Sequence, residues 1–281
     1  MRYPLYTYQA SPTDKPTVLL GHGNGLPPEA YRALAKALST DYDSVCLPAR
    51  PYWDPTGYSN FKSWHELADD MVAGIQHHHL APIIAIGHSM SGVMLAINAV
   101  NHPELFKAII LVDPVFLPRP FMRLAAILRH LGVPFNRRMV EGALKRRRIW
   151  DTPEDAFNHF RKRSLFQNCS NDVLRDYVEG SLTTTADNDH VTLKYPPEWE
   201  AAIFSRPPID EWRYPTQITV PCYIIIGEQS NVFQASAVQL WQRQRPDIKI
   251  VHIPETGHLV PFEAPQQVAE RILVFLRQQH D

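Results

Sequence analysis

The chain has 281 residues, with 28 Lys and Arg against 29 Asp and Glu, 25 prolines, 12 glycines and 44% hydrophobic residues. This composition excludes collagen-like, coiled-coil and disordered classes and suits one large domain or two modest ones. A net charge of −1 offers no electrostatic case for nucleic acid or an anionic membrane as partner. The three cysteines, Cys46, Cys169 and Cys222, are widely spaced and read as buried thiols of a reducing compartment rather than a disulfide framework or a zinc site. The N-terminal residues lack the apolar core of a signal peptide. The most apolar stretch, 81–100, is interrupted by Pro82, His88, Ser89, Ser91 and Asn98. No membrane span is expected, and cytoplasmic residence follows as the expectation.

In chain order, short β-branched runs occur at 17–20, 44–47, 83–86, 109–112, 223–226 and 248–253. They are continuous rather than alternating, which predicts strands covered on both faces. Helical spacing lies between them. Residues 28–38 carry Ala30, Leu34, Ala37 and Leu38 on one side. Residues 64–75 follow Ser63, with Glu66 three positions on as a capping box. Residues 91–100 follow the fourth-region strand, and 265–278 close the chain with Val268, Ile272, Phe275 and Leu276 on one stripe. His77, His78 and His79 do not share a helix face and read as an exposed helix end. The alternation predicts an α/β fold with a mostly parallel sheet and helices on both faces.

The alternation breaks between about 116 and 215. Helical pieces at 121–131, 137–145, 153–166 and 171–180 stand there with the basic clusters Lys145–Arg148 and Arg161–Arg163 and no strong buried-strand run. The reading is a core of 1–116 and 210–281 interrupted by a helical lid at 117–209. The basic clusters read as solvated helix faces. Phe116, Phe121, Leu124, Ile127, Leu128, Trp150, Phe157 and Phe160 are candidates for an apolar acyl pocket or for packing within the lid.

The segment Ile83-Ile84-Ala85-Ile86-Gly87-His88-Ser89-Met90-Ser91-Gly92 carries the chemistry. A buried strand ends at Gly87, a helix begins near Ser91, and Ser89 sits in the turn between. Small residues two before and two after the serine allow strand and helix to approach closely around a strained turn that presents the hydroxyl. The second position is Ser91 rather than glycine, followed by Gly92. In this turn His88 points differently from Ser89 and reads as packing.

These residues resemble the nucleophile elbow of the α/β-hydrolase superfamily. Leu19-Leu20-Gly21-His22-Gly23-Asn24-Gly25 resembles its oxyanion loop, and Pro254-Glu255-Thr256-Gly257-His258 through Pro265 resembles its catalytic-histidine loop. The resemblance implies an α/β-hydrolase fold with a lid, Ser89 as nucleophile and His258 as general base. It also implies oxyanion donors from the Met90 amide and from the Gly23–Asn24 turn. The acid departs from the pattern. Members commonly carry Asp where this chain has Ser230. Asp113, at the end of the strand beside that of Ser89, is the favoured substitute, with Glu228 as the alternative. The implied activity is a hydrolase without cofactor or metal that cleaves a small or medium carboxylic ester, or a related acyl compound, through an acyl-enzyme. Its partner is a small-molecule acyl substrate. Lactone, thioester or carbon–carbon cleavage by the same triad, and a non-catalytic ligand-binding member of the fold, are the alternatives.

Overall fold

The computed structural model describes residues 3–11 and 13–279. Each of the six apolar runs forms a strand. In chain order the strands are β1 (Tyr6–Thr7), β2 (Thr17–Gly21), β3 (Asp43–Cys46), β4 (Ile83–His88), β5 (Phe106–Val112), β6 (Ile149–Trp150), β7 (Leu182–Thr184), β8 (Val191–Leu193), β9 (Cys222–Gly227) and β10 (Lys249–Ile253). Seven make one sheet in the order β1-β3-β2-β4-β5-β9-β10. Every pairing in it is parallel except that of the short edge strand β1 with β3. Both β4 and β9 are buried at all six positions, which explains why their runs are uninterrupted.

The pleat divides these side chains between two cores. Leu19, Ala85, Ile109, Leu111, Ile224 and Ile226 face one side with helices Trp64–His77, Met90–Asn101 and Ala235–Gln244. Val18, Leu20, Ile84, Ile86, Ile110 and Ile225 face the other with helices Arg32–Leu38 and Pro265–Arg277. Burial on both faces supplies most of the driving force, at about 25 cal/mol per Å² of apolar surface removed from water. From β2 the chain steps to β3 on one side and returns to β4 on the other, so strand order reverses between β2 and β4. The loop after β2 and the turn after β4 therefore adjoin at the carboxyl end of the sheet, where open parallel sheets form their sites.

Local expectations hold with two corrections before the inserted segment. The helical stretch at 28–38 is a 3₁₀ turn, Pro28–Tyr31, followed by an α-helix, Arg32–Leu38. The capping box at Ser63 does not form. The Ser63 side chain makes no cap bond, and Glu66 accepts instead from the Lys62 amide at 2.9 Å and pairs with Arg50 at 2.9 Å. An ion pair that is only partly exposed competes successfully with a terminal amide for the same carboxylate. The helix still ends at His77, and among the described residues no group of three or more His, Cys, Asp or Glu side chains is placed to hold a metal. All three cysteines are buried free thiols. No helix among the described residues is long and apolar enough to cross a membrane.

The 117–209 segment is not wholly helical. Helices Arg119–His130, Arg137–Leu144, Pro153–Arg161, Asn171–Ser181 and Pro197–Ser205 are joined by a small antiparallel sheet in the order β6-β8-β7. Strands of two or three residues are too short to show a hydrophobic period. The apolar residues of this region do not converge on one pocket. Phe116 packs against Trp212, Phe233 and Trp241 in the core. Trp150 and Phe160 form a cluster with Phe166 and Tyr177. Phe121, Leu124 and Ile127 face solvent.

Two buried histidines tie the carboxyl-end loops together. His22 hydrogen-bonds through Nδ1 to the Gly23 carbonyl at 2.9 Å, and its Nε2 accepts from the Ala49 amide at 2.9 Å. The Gly23 amide donates to the Tyr31 hydroxyl at 3.0 Å. That hydroxyl in turn lies 2.7 Å from His88 Nδ1, and His88 Nε2 lies 2.9 Å from the His258 carbonyl. Each pattern is satisfied by a neutral imidazole, with the proton on Nδ1 in His22 and on Nε2 in His88. Burial lowers the His22 pKa to about 4 and pushes that of His88 well below its ordinary value. Both groups take up protons more readily unfolded than folded, so their contribution to stability is complete above about pH 6.5 and is lost as pH falls, for His22 toward about 4. The free energy of unfolding in urea is expected to drop by about 2 kcal/mol from His22 between pH 7 and pH 5, with a further loss in the same direction from His88. His22→Gln, which keeps a donor and an acceptor but does not titrate, should flatten part of that slope. An unchanged slope would assign the acid sensitivity elsewhere.

Candidate active site

Ser89 is held in a conformation that few residues adopt, with φ +56° and ψ −114°. Its amide donates to the Val112 carbonyl at 3.0 Å, which fastens the turn to β5. The turn is tight because the helix Met90–Asn101 starts immediately after the serine, one residue earlier than the spacing predicts. A Cβ added at Gly87 would meet the Ser91 carbonyl oxygen at 2.6 Å, so only glycine fits there. Ser91, where glycine is usual, is accommodated from the other side. A Cβ on Gly21 would lie 2.7 Å from the Ser91 Cβ, and the Ser91 hydroxyl donates to the His22 carbonyl at 2.5 Å. The missing glycine of the elbow is thus compensated by a glycine at the end of β2.

His258 reaches the serine from the loop after β10. Its Nε2 stands 3.0 Å from Ser89 Oγ, and its Nδ1 stands 2.5 Å from Asp113 Oδ2. The imidazole therefore donates through Nδ1 to the carboxylate and presents Nε2 as acceptor to the hydroxyl. Asp113 follows β5 with φ +43°, and its amide donates to the Ile225 carbonyl of β9 at 2.7 Å. Its side chain is fully buried. A further bond sequence reasoning did not anticipate comes from Ser230, whose hydroxyl donates to the same Oδ2 at 2.6 Å. The residue at the usual acid position is thus a hydrogen-bond donor to the carboxylate on the neighbouring strand. Asp113 Oδ1 is buried without a protein partner among the described residues.

The alternative acid lies elsewhere. Glu228 is exposed, and its Oε2 accepts from the Glu255 amide at 3.2 Å, bracing the loop rather than the imidazole. The loop is further fixed by Glu263, which accepts from the Gly257 amide at 2.7 Å, and by the contact of Gly227 with Gly257. A Cβ on Gly227 would fall 2.0 Å from the Gly257 carbonyl oxygen.

The candidate oxyanion amides are those of Met90 and of the turn after β2. Met90 opens its helix, so its N–H has no acceptor within the helix and carries the positive end of the dipole. Of the turn after β2, the Gly23 amide is committed to Tyr31, which corrects the expectation that it is available as an oxyanion donor. Asn24 is the remaining candidate. Its side chain is pinned on both atoms, with Oδ1 accepting from Tyr195 at 2.7 Å and Nδ2 donating to the Glu200 carbonyl at 3.2 Å. Next to it, Gly25 turns at φ +71° against Glu200 and Arg146. Arg146 forms an ion pair with Glu200 and donates to the Tyr177 hydroxyl at 3.0 Å. One member of the basic cluster 145–148 is therefore an internal brace and not part of a solvated face. The bonds of His88 with Tyr31 and His258 and of Arg146 with Tyr177 and Glu200 carry no sequence signal, because each joins residues more than thirty apart in the chain.

Comparison with known proteins shows the family. Residues 18–271 match the model of the Alpha/beta hydrolase family. An Abhydrolase domain-containing protein of Alternaria alternata, AKT2, is 25% identical over 228 residues, covering 68% of this chain and 81% of its own length. The Karrikin insensitive 2 receptor IA of Petunia hybrida is 23% identical over 286 residues, covering 93% of this chain and 90% of its own. The crystal structure of E-2-(Acetamidomethylene)succinate Hydrolase superposes with a TM-score of 0.72 at 19% identity, covering 94% of this chain and 92% of that one. A strained serine between β4 and its helix, a histidine after the last strand and a family match over nearly the whole chain lead to one conclusion: the chain belongs to the alpha/beta hydrolase family.

Proposed function

We propose that the protein is a serine hydrolase acting on a small or medium carboxylic ester through an acyl-enzyme. The observation that carries this reading is the continuous line of contacts from Ser89 Oγ through His258 to Asp113, at 3.0 Å and 2.5 Å. In the first half-reaction Ser89 Oγ attacks the acyl carbonyl while His258 Nε2 takes its proton. The tetrahedral oxyanion is met by the Met90 and Asn24 amides. Collapse expels the alcohol, which receives the proton from His258. Water then attacks the acyl-enzyme, giving its proton to Nε2, and Ser89 leaves with that proton restored. Asp113 holds the imidazole in the tautomer that leaves Nε2 free to accept, and its buried charge favours the imidazolium formed in each half. The segment 117–209 serves as the lid, a reading supported by the grip of Tyr195 and Glu200 on Asn24. Location in the cytoplasm and a small-molecule acyl partner complete the proposal.

A ligand-binding role without turnover is the second reading, because one relative is named a receptor. A phosphonofluoridate probe separates the two. Stoichiometric labelling of Ser89, absent in Ser89→Ala, together with turnover of some member of a panel of p-nitrophenyl esters, a lactone and a thioester, supports the hydrolase. Lack of both favours the binding role, and preference for the lactone or thioester would move the substrate class.

Asp113→Asn should lower kcat on the order of 10³- to 10⁴-fold, since the amide favours the wrong imidazole tautomer, the effect known for the corresponding change in chymotrypsin-type triads. Glu228→Gln should turn over normally. The reverse pattern would move the acid to Glu228. Ser230→Ala removes a donor that holds the Asp113 carboxylate in place. Its kcat should fall, by less than in Asp113→Asn. An unchanged kcat would make Ser230 dispensable for the orientation of the carboxylate.

A further inference from the structure

The near-zero net charge of the chain conceals a strong segregation. Nine of its 28 Lys and Arg fall between positions 118 and 148, together with only one of its 29 Asp and Glu, Glu141. The same stretch carries the densest group of exposed large apolar side chains. In the helix Arg119–His130 the inward residues are Met122 and Ala125. On its outward side Phe121, Leu124 and Ile127, continued by Leu131 just past its end, are 46–66% exposed. Their spacing of three, three and four residues places them in one stripe along the helix. Val133, Met139 and Leu144 in the following turn and helix are also exposed. Arg119, Arg123, Arg137, Arg138, Lys145 and Arg147 are exposed in the same stretch, two of them, Arg137 and Lys145, beside Glu141.

We infer that this face is a docking surface for an anionic lipid bilayer, with the exposed stripe of the helix Arg119–His130 laid along it. Apolar side chains on one aspect of a helix with guanidinium groups alongside are what the interface of an acidic membrane accepts. The side chains enter the headgroup boundary, and the cations meet the surface charge. Arginine suits this position because its stem packs on apolar surface while its head stays among phosphates. A second copy of the chain is a poorer occupant. An isologous contact would set the same cationic stretch against itself, with a single carboxylate on each side to relieve the repulsion. No helix spans the bilayer in this arrangement, consistent with the absence of a spanning helix among the described residues. None of these side chains takes part in the hydrogen bonds of Ser89, His258 and Asp113, and the inference does not rest on the proposed reaction.

Co-sedimentation of the full chain with vesicles tests the assignment. The protein should pellet with vesicles of phosphatidylcholine mixed with phosphatidylglycerol, should remain in solution with phosphatidylcholine alone, and should be released by high salt. The triple variant Phe121→Ser, Ile127→Ser, Leu131→Ser should bind the mixed vesicles at least about tenfold more weakly, from the apolar area lost. The charge variant Arg123→Glu, Arg138→Glu should weaken binding to a similar or greater degree. An unchanged thermal unfolding transition establishes that each variant is folded. Equal partition onto neutral and anionic vesicles, or apolar-variant binding equal to that of the unchanged chain, would overturn the inference. So would sedimentation velocity that finds a dimer dispersed by the apolar substitutions.

Discussion

The close approach of β4 to the helix that follows it is the constraint on which the site depends. Ser89 can occupy its strained conformation only if the chain on either side of it packs without side chains in the way. Gly87 faces the Ser91 carbonyl with no room for a Cβ, and Gly21 leaves space for the hydroxyl that Ser91 brings in place of hydrogen. Strain at a single residue persists because the surroundings over-determine it. Here the Ser89 amide is tied to β5, and the helix beyond it is buried at ten of its twelve positions. The same start of the helix that presents the hydroxyl also aims the Met90 amide at the reacting space. One geometric feature thus positions both the hydroxyl and a donor for the charge that would develop.

His258 and the Asp113 carboxylate are held from the neighbouring strands. Asp113 leaves β5 at a positive φ and is anchored to β9, the strand whose end carries Ser230. Two donors, His258 and Ser230, converge on one carboxylate oxygen, so the orientation of the acid is shared between adjacent strand ends. The histidine loop is held from behind by a different chain of bonds. Gly23, Tyr31, His88 and the His258 carbonyl connect the turn after β2 to the turn after β10 through the buried side of the elbow. This chain uses neutral imidazole at a position where a charged one would be costly, because burial disfavours the protonated form.

The inserted segment combines contributions of different kinds. Its inner parts grip the turn after β2 through Tyr195, Glu200 and Arg146, while its outer helices carry the segregated apolar and cationic surface. Helices Arg119–His130 and Arg137–Leu144 were legible from their periodicity, but which side of each faces the protein was not. An amphipathic pattern states that one stripe is apolar. It does not state that the stripe is buried, and in Arg119–His130 much of it faces solvent. Likewise, charge runs do not reveal which member is internal. Arg146 and Arg147 are adjacent, yet one is braced by Glu200 and the other is exposed.

The sequence by itself determined six of the seven strands of the sheet, the strand–turn–helix around Ser89 and the loop of His258, and the burial of the central strands on both faces, though not of the edge strand β10, which is exposed at Lys249 and His252. These depend on short-range features: uninterrupted apolar runs, glycine spacing and the placement of a polar residue at a strand end. The family resemblance pointed to two carboxylates at strand ends, Asp113 and Glu228, as candidate acids. The choice between Asp113 and Glu228 as partner of His258, the withdrawal of the Gly23 amide into a bond with Tyr31 and the role of Ser230 beside the carboxylate were decided by tertiary structure alone. The contacts of Asp113 with His258 and Ser230 join strand ends more than a hundred residues apart, and that of Gly23 with Tyr31 joins a loop to the turn that follows it. Local propensity places a side chain on an element, but a hydrogen bond of this kind exists only once the register and twist of the sheet have fixed the distance between them.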